Sequence, residues 1–344
     1  MRERIIDANL NRLAEGLRVI EDLCRFGLND AKVSARLKTF RHDAVRLRRA
    51  FSGDLLSARD SIGDVGREEV KEPARRSGLL AILGASFGRV AESLRVLEEM
   101  GKLEKGGAAG LAKALRYEAY ELEKQVVPRF DRHRMAERLR GLYLVMTGPA
   151  VGYETLAEAA IKAGVAAIQL REKNWESGRI LAVARTLRAM TRDTKTLLIV
   201  NDRPDLARLC EADGLHLGQG DPSIAEAREI VGERMLIGKS THQLRQLKAA
   251  LAEGPDYVGI GPVFPTGSKA VPDAVLGLEK AGRMLAQTQG KVPAVAIGGI
   301  TEERLPEVLA LGFRCYALIS HVGAAQNPLA VIRRLKKIEK SALK

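Results

Sequence analysis

Thr196–Asp221, TLLIVNDRPDLARLCEADGLHLGQGD, is the stretch whose reading decides the fold. Its apolar run, Leu197–Val200, is too short for a helix and has no polar alternation, as expected of a strand buried on both faces. The run stops at Asn201-Asp202. A helical pattern follows over Asp205–Glu211, then a second strand, Gly214–Leu217, then a glycine-rich turn ending on Asp221. Asp202 and Asp221 therefore stand just past the carboxyl ends of two successive strands joined by a helix. If those strands are parallel neighbours, the carboxylates face each other. Paired hard oxygen ligands beside open loops suit Mg²⁺ when a substrate phosphate completes its shell. Taken singly, each aspartate equally suits a helix N-cap or a turn. The repetition of the pattern along the chain decides between these readings.

Outward from this stretch, short apolar runs recur at Leu142–Met146, Ala166–Leu170, Met235–Ile237, Tyr257–Ile260, Ala294–Ile297 and Cys315–Ile319. With the two already described they make eight, most of them separated by amphipathic segments at 154–163, 176–192, 223–231 and 241–253. Eight strand–helix units predict a (β/α)8 TIM barrel over residues 139–344, with its site at the carboxyl ends of the strands. A doubly wound open sheet is the rival, and it is weakened by the lack of a GxGxxG after the first run.

Polar residues do collect after the runs. Gln169, Arg171 and Lys173 alternate along one extended segment, so all three can point the same way. An amide and two cations at one strand end suit a diphosphate, with arginine forking two oxygens and lysine acting as a point charge. Asp202 and Asp221 follow the next two strands, with His216 inside the fourth. Ser240 and His242 are expected after the fifth, where His242 also suits the start of a helix. After the sixth, Gly261–Lys269 supplies Thr266, Ser268 and Lys269 from a loop that prolines restrict. Gly298-Gly299 offers bare amides, with Thr301-Glu302-Glu303 expected to open a helix, and Ile319-Ser320 closes the pocket. Two anion-binding regions, one of them metal-assisted, predict a transferase joining a diphosphate substrate to a monophosphate. No covalent nucleophile is needed when diphosphate is the leaving group.

Residues 1–138 read as an all-α helical bundle, with helical periodicity over 5–23, 31–52, 78–103 and 107–127 and stops expected at Gly27 and Gly101. Arg12–Asp22 aligns without gaps with Arg89–Glu99 at one offset of 77 residues, predicting two helices packed as pseudo-equivalents. Arg12, Glu15 and Arg18, and again Arg89, Glu92 and Arg95, lie at i, i+3 and i+6. They read either as a solvated salt-bridged face or, because the pattern repeats beside Gly16 and Ser93, as a partly buried polar seam. Between the copies, Ser57–Arg67 carries Arg59, Asp60 and Asp64 among glycines, suited to phosphate and metal without Walker A spacing.

Composition narrows the class. Hydrophobic residues make up 46% of the chain, and no uninterrupted apolar run reaches membrane-spanning length. The first residues lack the apolar core of a secretion signal, and three scattered cysteines suit a reducing compartment, so a cytoplasmic location is expected. The net charge of +13 is dispersed among 43 acidic residues, which favours phosphorylated small-molecule substrates over nucleic acid. Oligomeric state, including a homo-oligomer, is left open.

In order along 141–330, Gln169-Leu-Arg171-Glu-Lys173, Asn201-Asp202-Arg-Pro-Asp205, Gly214-x-His216-x-Gly218-Gln219-x-Asp221, Gly238-x-Ser240-x-His242, Gly261-Pro-x-Phe264-Pro-Thr266-x-Ser268-Lys269, Ala296-Ile297-Gly298-Gly299-Ile300 and Ile319-Ser320 resemble the thiamine-phosphate synthase family. The resemblance implies that hydroxymethylpyrimidine diphosphate reacts with thiazole phosphate, releasing diphosphate through a pyrimidine-methyl cation. It further implies Asp202 and Asp221 as Mg²⁺ ligands. Gln169, Arg171, Lys173, Asn201, Ser240 and Lys269 would contact the pyrimidine diphosphate. Thr266, Ser268, Gly298, Gly299, Ile319 and Ser320 would form the thiazole-phosphate pocket. Gly312-Phe313-Arg314-Cys315-Tyr316-Ala317 departs from the family pattern at the start of the eighth strand, where packing is the expected consequence.

The first part, through Asp7-Ala8-Asn9-x-Asn11-Arg12-x-x-Glu15-Gly16-Leu17-Arg18, the Arg59-Asp60…Asp64 loop and Arg89-x-x-Glu92-Ser93-Leu94-Arg95, resembles the helical domain fused ahead of such synthases. That resemblance implies a hydroxymethylpyrimidine-phosphate kinase using ATP and Mg²⁺. The alternatives are a non-catalytic helical scaffold and a thiazole-tautomerising barrel.

Overall fold

The computed structural model describes residues 1–60, 63, 75–267 and 274–342. The chain divides into two compact units, Met1–Asp131 and Arg132–Lys344.

The first unit contains α1 (Arg2–Asp22), α2 (Ala31–Arg49), α3 (Leu79–Gly101) and most of α4 (Ala108–Ala136). Ile6, Leu10, Leu13, Leu17 and Ile20 repeat every three or four residues, so they share one face of α1, and all are buried. They meet Leu83, Phe87, Val90, Leu94 and Leu97 of α3 in one core, and each such side chain contributes about 1.5–3 kcal/mol by leaving water. The two repeated helices thus pack directly against each other. Gly16 makes the approach feasible, because a Cβ there would lie 2.8 Å from Val90 Cγ2 and 3.2 Å from the Ser86 carbonyl. Asp30 caps α2, accepting from the amides of Lys32 and Val33 at 2.9 and 3.1 Å.

Two expectations need correction. The chain does not leave its first helix at Gly27; Leu23–Leu28 forms a π-helical turn, and the left-handed residue that ends it is Asn29, φ 50°. Asparagine tolerates that conformation almost as glycine does. The repeated Arg/Glu triads do not form a buried seam either. Arg12, Glu15, Arg18, Glu92 and Arg95 are exposed, while Gly16 and Ser93 occupy the crossing. At 100° per residue, a triad at i, i+3 and i+6 falls on the face away from the Leu13–Leu17–Ile20 stripe. The acids that follow are the shielded members, Glu21 partly buried and Glu98 buried. Glu21 pairs with Arg41, and Glu98 accepts from Arg116 at 2.8 Å, so the repeat extends into the next helix of each half.

The second unit is a closed barrel of eight parallel strands in sequential order: β1 (Gly141–Met146), β2 (Ala167–Leu170), β3 (Leu197–Asn201), β4 (Gly214–Leu217), β5 (Leu236–Thr241), β6 (Tyr257–Ile260), β7 (Ala294–Ile297) and β8 (Cys315–Leu318). The intervening helices are α5 (Tyr153–Ala163), α6 (Ser177–Thr191), α7 (Pro204–Leu209), α8 (Ile224–Val231), α9 (Leu244–Glu253), α10 (Gly277–Gln287), α11 (Leu305–Ala310) and α12 (Ser320–Gly323), with α13 (Pro328–Ala342) last. Closure through β1 and β8, with Tyr143 opposite Ala317, excludes the open-sheet rival. Alternation sorts each strand's residues into two sets. One, with Leu142, Leu144, Ile168, Leu198, Leu215 and Ile237, packs under the helices; the other, with Tyr143, Val145, Ala167, Leu197, Ile199 and Tyr257, fills the barrel. At the unusual start of β8, Phe313, Cys315 and Tyr316 are fully buried, so this departure from the family pattern is absorbed in packing. Within the second unit, Arg132 donates to Asp256 and Glu233 at 3.0 and 3.1 Å.

β5 runs further than its apolar core, so Ser240 lies within the strand and faces inward rather than following it. Thr301-Glu302-Glu303 does not open a helix; Glu302–Arg304 form a turn and α11 begins at Leu305.

Candidate active site

At the carboxyl ends of the strands lie two adjoining cavities of about 620 and 360 Å³, both lined by Arg171, Asn201, Ser240 and His242. The smaller adds Lys173, Asp202 and Asp221; the larger adds Gln169, His216, Thr266, Gly298, Gly299, Ile319 and Ser320. The described site residues of the barrel therefore meet at one mouth. Ser268 and Lys269 lie outside the described residues, as does Asp64 of the first unit.

Asp202 has a left-handed backbone, φ 60°, uncommon outside glycine and best tolerated by Asp and Asn. Its amide donates to the His216 carbonyl at 2.9 Å, anchoring the bend to β4. The bend brings its carboxylate beside that of Asp221. Burial and then the hydrogen-bonded Asp202 hold the Asp221 carboxyl above the usual carboxylate range. One Asp221 oxygen accepts from the Gly218 amide at 2.6 Å, while Lys173 Nζ sits 3.2 Å from Asp202 Oδ2. Two crowded carboxylates with one cation beside them fit a divalent metal that takes its other oxygens from water and phosphate. Among the described residues no cluster of three or more His, Cys, Asp or Glu could hold a metal by itself.

Across the mouth, Gly298 and Gly299 have φ of 101° and 63°. Side chains there would collide with the β6 loop, since a Cβ on Gly298 would lie 2.5 Å from Pro262 and one on Gly299 2.4 Å from the Pro265 carbonyl. At these two positions the loop can therefore present only bare backbone to a ligand. His242 fixes the same β6 loop through Nδ1, 2.7 Å from the Gly261 carbonyl, and it does not begin a helix, since α9 starts at Leu244 with Gln243 as its N-cap. Arg304, which the sequence reading missed, donates to the Gly299 carbonyl at 2.8 Å and lies over the Phe264 ring, 5.0 Å from its centre. His321, also missed, lines the larger cavity and stands 3.3 Å from Glu302. His321 reaches Glu302 from α12, which leaves no local sequence signal, whereas Arg304 reaches back five residues within its own loop. Trp175 stacks edge-on against Tyr153 beneath Arg179.

A chain of buried polar groups supports the mouth from inside. Gln169 donates to the Tyr143 hydroxyl at 3.0 Å, which lies 3.0 Å from that of Tyr257. Tyr257 is 3.0 Å from His216 Nδ1, and His216 Nε2 is 2.9 Å from Ser240 Oγ. A Cβ on Gly238 would fall 2.1 Å from the Tyr257 ring, so only glycine leaves space for it. Strand parity could have identified the tyrosines, because Tyr143 and Gln169 both occupy inward positions.

In the first unit, Asp7 is nearly buried and accepts from Arg59 at 2.8 and 3.0 Å and from Arg48 at 3.2 Å. Its hydrogen bond to Arg59 leads the effects that hold the Asp7 carboxyl below the usual range. Asp60 accepts from the Gly63 amide at 2.7 Å and pairs with Arg4 at 3.5 Å. Asn9 is turned inward, donating to the Ile5 carbonyl at 2.8 Å. Arg18 and Arg95 make matching ion pairs within their helices, to Asp22 at 3.2 Å and Glu99 at 2.9 Å. Arg12, Glu15 and Glu92 lie on the exposed face, and Arg89 is partly exposed.

Comparison with known proteins bears on both units. Residues 142–322 match the family described as thiamine monophosphate synthase, and residues 4–125 match the ThiD2 family. The chain is 40% identical over 333 residues to the thiamine-phosphate synthase of Nostoc punctiforme, covering 96% of this chain and 92% of that one. It is 41% identical over 335 residues to that of Thermosynechococcus vestitus, covering 96% and 93%. Thiamine phosphate pyrophosphorylase from Pyrococcus furiosus superposes with a TM-score of 0.54 and 35% identity, covering 61% of this chain and all of that one. No helix among the described residues is long and apolar enough to cross a membrane. A transferase barrel with this mouth, matched over nearly the whole chain by thiamine-phosphate synthases, places the protein in the thiamine-phosphate synthase family, with a ThiD2-family region ahead of its barrel.

Proposed function

We propose that the pyrimidine diphosphate binds where the two cavities join, its diphosphate toward Asp202, Asp221, Arg171 and Lys173 and its ring toward Gln169 and Ser240. The thiazole phosphate then lies on the Gly298-Gly299 amides with Thr266, Ile319 and Ser320. The observation that carries this reading is the sharing of Arg171, Asn201, Ser240 and His242 by both cavities. It lets two phosphorylated molecules meet in one continuous space. Asp202 and Asp221 are the residues that would hold Mg²⁺, which when bound supplies positive charge to a departing diphosphate. Arg171 and Lys173 add fixed cations to the same oxygens. The bond from the pyrimidine methylene to the diphosphate oxygen breaks, and the thiazole ring nitrogen forms the new bond to that carbon. Diphosphate carries away the electron pair, so no side chain is needed as nucleophile.

For the first unit, the proposed activity is phosphorylation of hydroxymethylpyrimidine phosphate by ATP with Mg²⁺. The Asp7–Arg48–Arg59 cluster beside Asp60 supports it as the polar centre of that unit. Incubating the full chain with the pyrimidine monophosphate, ATP and Mg²⁺ tests both units. Native protein supplied with thiazole phosphate should form thiamine phosphate. An Asp202→Asn chain should instead accumulate the pyrimidine diphosphate. Thiamine phosphate formed from supplied diphosphate, but none from monophosphate and ATP, would leave the first unit as a scaffold.

A further inference from the structure

Five side chains from five strands form one line of hydrogen bonds through the barrel: Gln169 of β2, Tyr143 of β1, Tyr257 of β6, His216 of β4 and Ser240 of β5. The two ends and His216 line the larger cavity, whereas Tyr143 and Tyr257 lie beneath it, 2% and 0% exposed. A buried donor or acceptor without a partner is costly, so each member must match its neighbour.

That requirement couples the ends. Each tyrosine hydroxyl has one proton, and burial pushes both phenols far above their ordinary range, so the proton stays in place. With the Gln169 amide donating to Tyr143, every member is satisfied when Tyr143 donates to Tyr257 and Tyr257 to His216 Nδ1. His216 therefore carries its proton on Nε2 and gives it to Ser240 Oγ. Gln169 is left with its carbonyl for the cavity and Ser240 with its hydroxyl proton. Reversing either end requires reversing every link, including the histidine tautomer and the glutamine amide.

We propose that Tyr143 and Tyr257 are positioning residues that fix together an acceptor at Gln169 and a donor at Ser240, a pair that reads the neutral edge of an amino-substituted nitrogen heterocycle. Such an edge offers N–H hydrogens beside a ring nitrogen. The proposal rests on the reading that the pyrimidine ring lies on this side of the mouth. The phosphate-binding groups are outside the line, so the line sets recognition of the ring rather than of the charge.

Tyr257→Phe tests it, since the ring still fills the space beside Gly238 and only the hydroxyl is lost. Imidazole ¹⁵N NMR of the substrate-free protein should show His216 as the Nε2–H tautomer in the native chain and a mixture in the variant. KM for the pyrimidine diphosphate should rise about tenfold, the loss expected when one hydrogen bond is set wrongly, with KM for thiazole phosphate unchanged. An unaltered tautomer would overturn the proposal, as would equal changes in the two KM values or no change in either. A purely structural hydroxyl would lower Tm and leave both KM values alone. Gln169→Ala and Ser240→Ala should be non-additive in log KM for the pyrimidine diphosphate, and strict additivity would refute the coupling. Tyr143→Phe, which cuts the line at its other tyrosine, gives the same readouts should Tyr257→Phe not fold. The tautomer readout needs no substrate, so it stands apart from the functional reading. Failure of the native chain to couple the two heterocycles would reject that reading and leave the tautomer result intact.

Discussion

Asp202→Asn separates the electrostatics of the carboxylate pair from the backbone that holds it. The residue sits at φ 60°, and asparagine is among the few side chains that accept this conformation, so the bend after β3 should persist. What disappears is one negative charge from a pair close enough to hold Asp221 above its usual range. Losing one well-placed electrostatic stabiliser costs about 2.7–4 kcal/mol in the transition state, which corresponds to roughly 10²–10³-fold in kcat. Stability should move little. The Lys173 pair that is lost is half-exposed and worth at most about 1 kcal/mol, a shift of about 2–4 °C in Tm for a unit of this size. Relief of the repulsion on Asp221 acts in the opposite direction. Steady-state synthesis from pyrimidine diphosphate and thiazole phosphate, titrated with Mg²⁺, gives the kinetic half. A thermal melt with and without Mg²⁺ gives the other, and the Mg²⁺-induced rise in Tm should vanish. A variant with kcat within about twofold of native and an unchanged Mg²⁺ midpoint would remove Asp202 from the metal site.

The other expected outcomes concern parts around this centre. Gly238→Ala drives a methyl into the fully buried Tyr257 ring and should destabilise the barrel by about 1–3 kcal/mol in denaturant titrations; a native midpoint would mean that the ring can yield. Arg304→Ala frees the Gly299 carbonyl and uncovers Phe264, and should raise KM for thiazole phosphate about fivefold while sparing that for the pyrimidine diphosphate, the effect of about one hydrogen bond. Asp7, with its carboxyl lowered chiefly by Arg59, contributes stability that is present above its unfolded value of 3.8 and lost as pH falls through the folded one. Asp7→Asn should therefore flatten the acid side of the helical unit's stability profile below about pH 4, read by circular dichroism melts; an unchanged profile would dismiss the pair as an energetic contributor.

The barrel was legible because a strand covered on both faces needs apolar residues at successive positions, and Tyr257–Ile260 or Ala294–Ile297 can hardly be read otherwise. Legibility failed where a strand ends in function. The polar tail of β5, Lys239-Ser240-Thr241, concealed its length because its inward residues face the mouth rather than the core. Thr301-Glu302-Glu303 imitates a helix start, yet Glu302 is engaged by Arg334 and His321, and the helix waits for Pro306 in its first turn. Asp202 and Asp221 were readable as a pair because they terminate adjacent strands, a relation fixed by chain order. His321 was not, since Glu302 comes from elsewhere in the chain, and the two tyrosines were legible only as inward strand positions, their hydrogen bonds to each other and to His216 arising with closure of the barrel.

The duplicated helices of the first unit are not duplicated in their polar groups. Aligned at the same offset, Asp7, Asn9 and Asn11 stand opposite Gly84, Ser86 and Gly88. The two halves share a spine but not its polar tip: where one holds a carboxylate gripped by Arg48 and Arg59, its twin has hydrogen atoms and a hydroxyl. The symmetry is broken at these three positions, so the carboxylate that Arg48 and Arg59 grip has no counterpart at the matching position of the second copy.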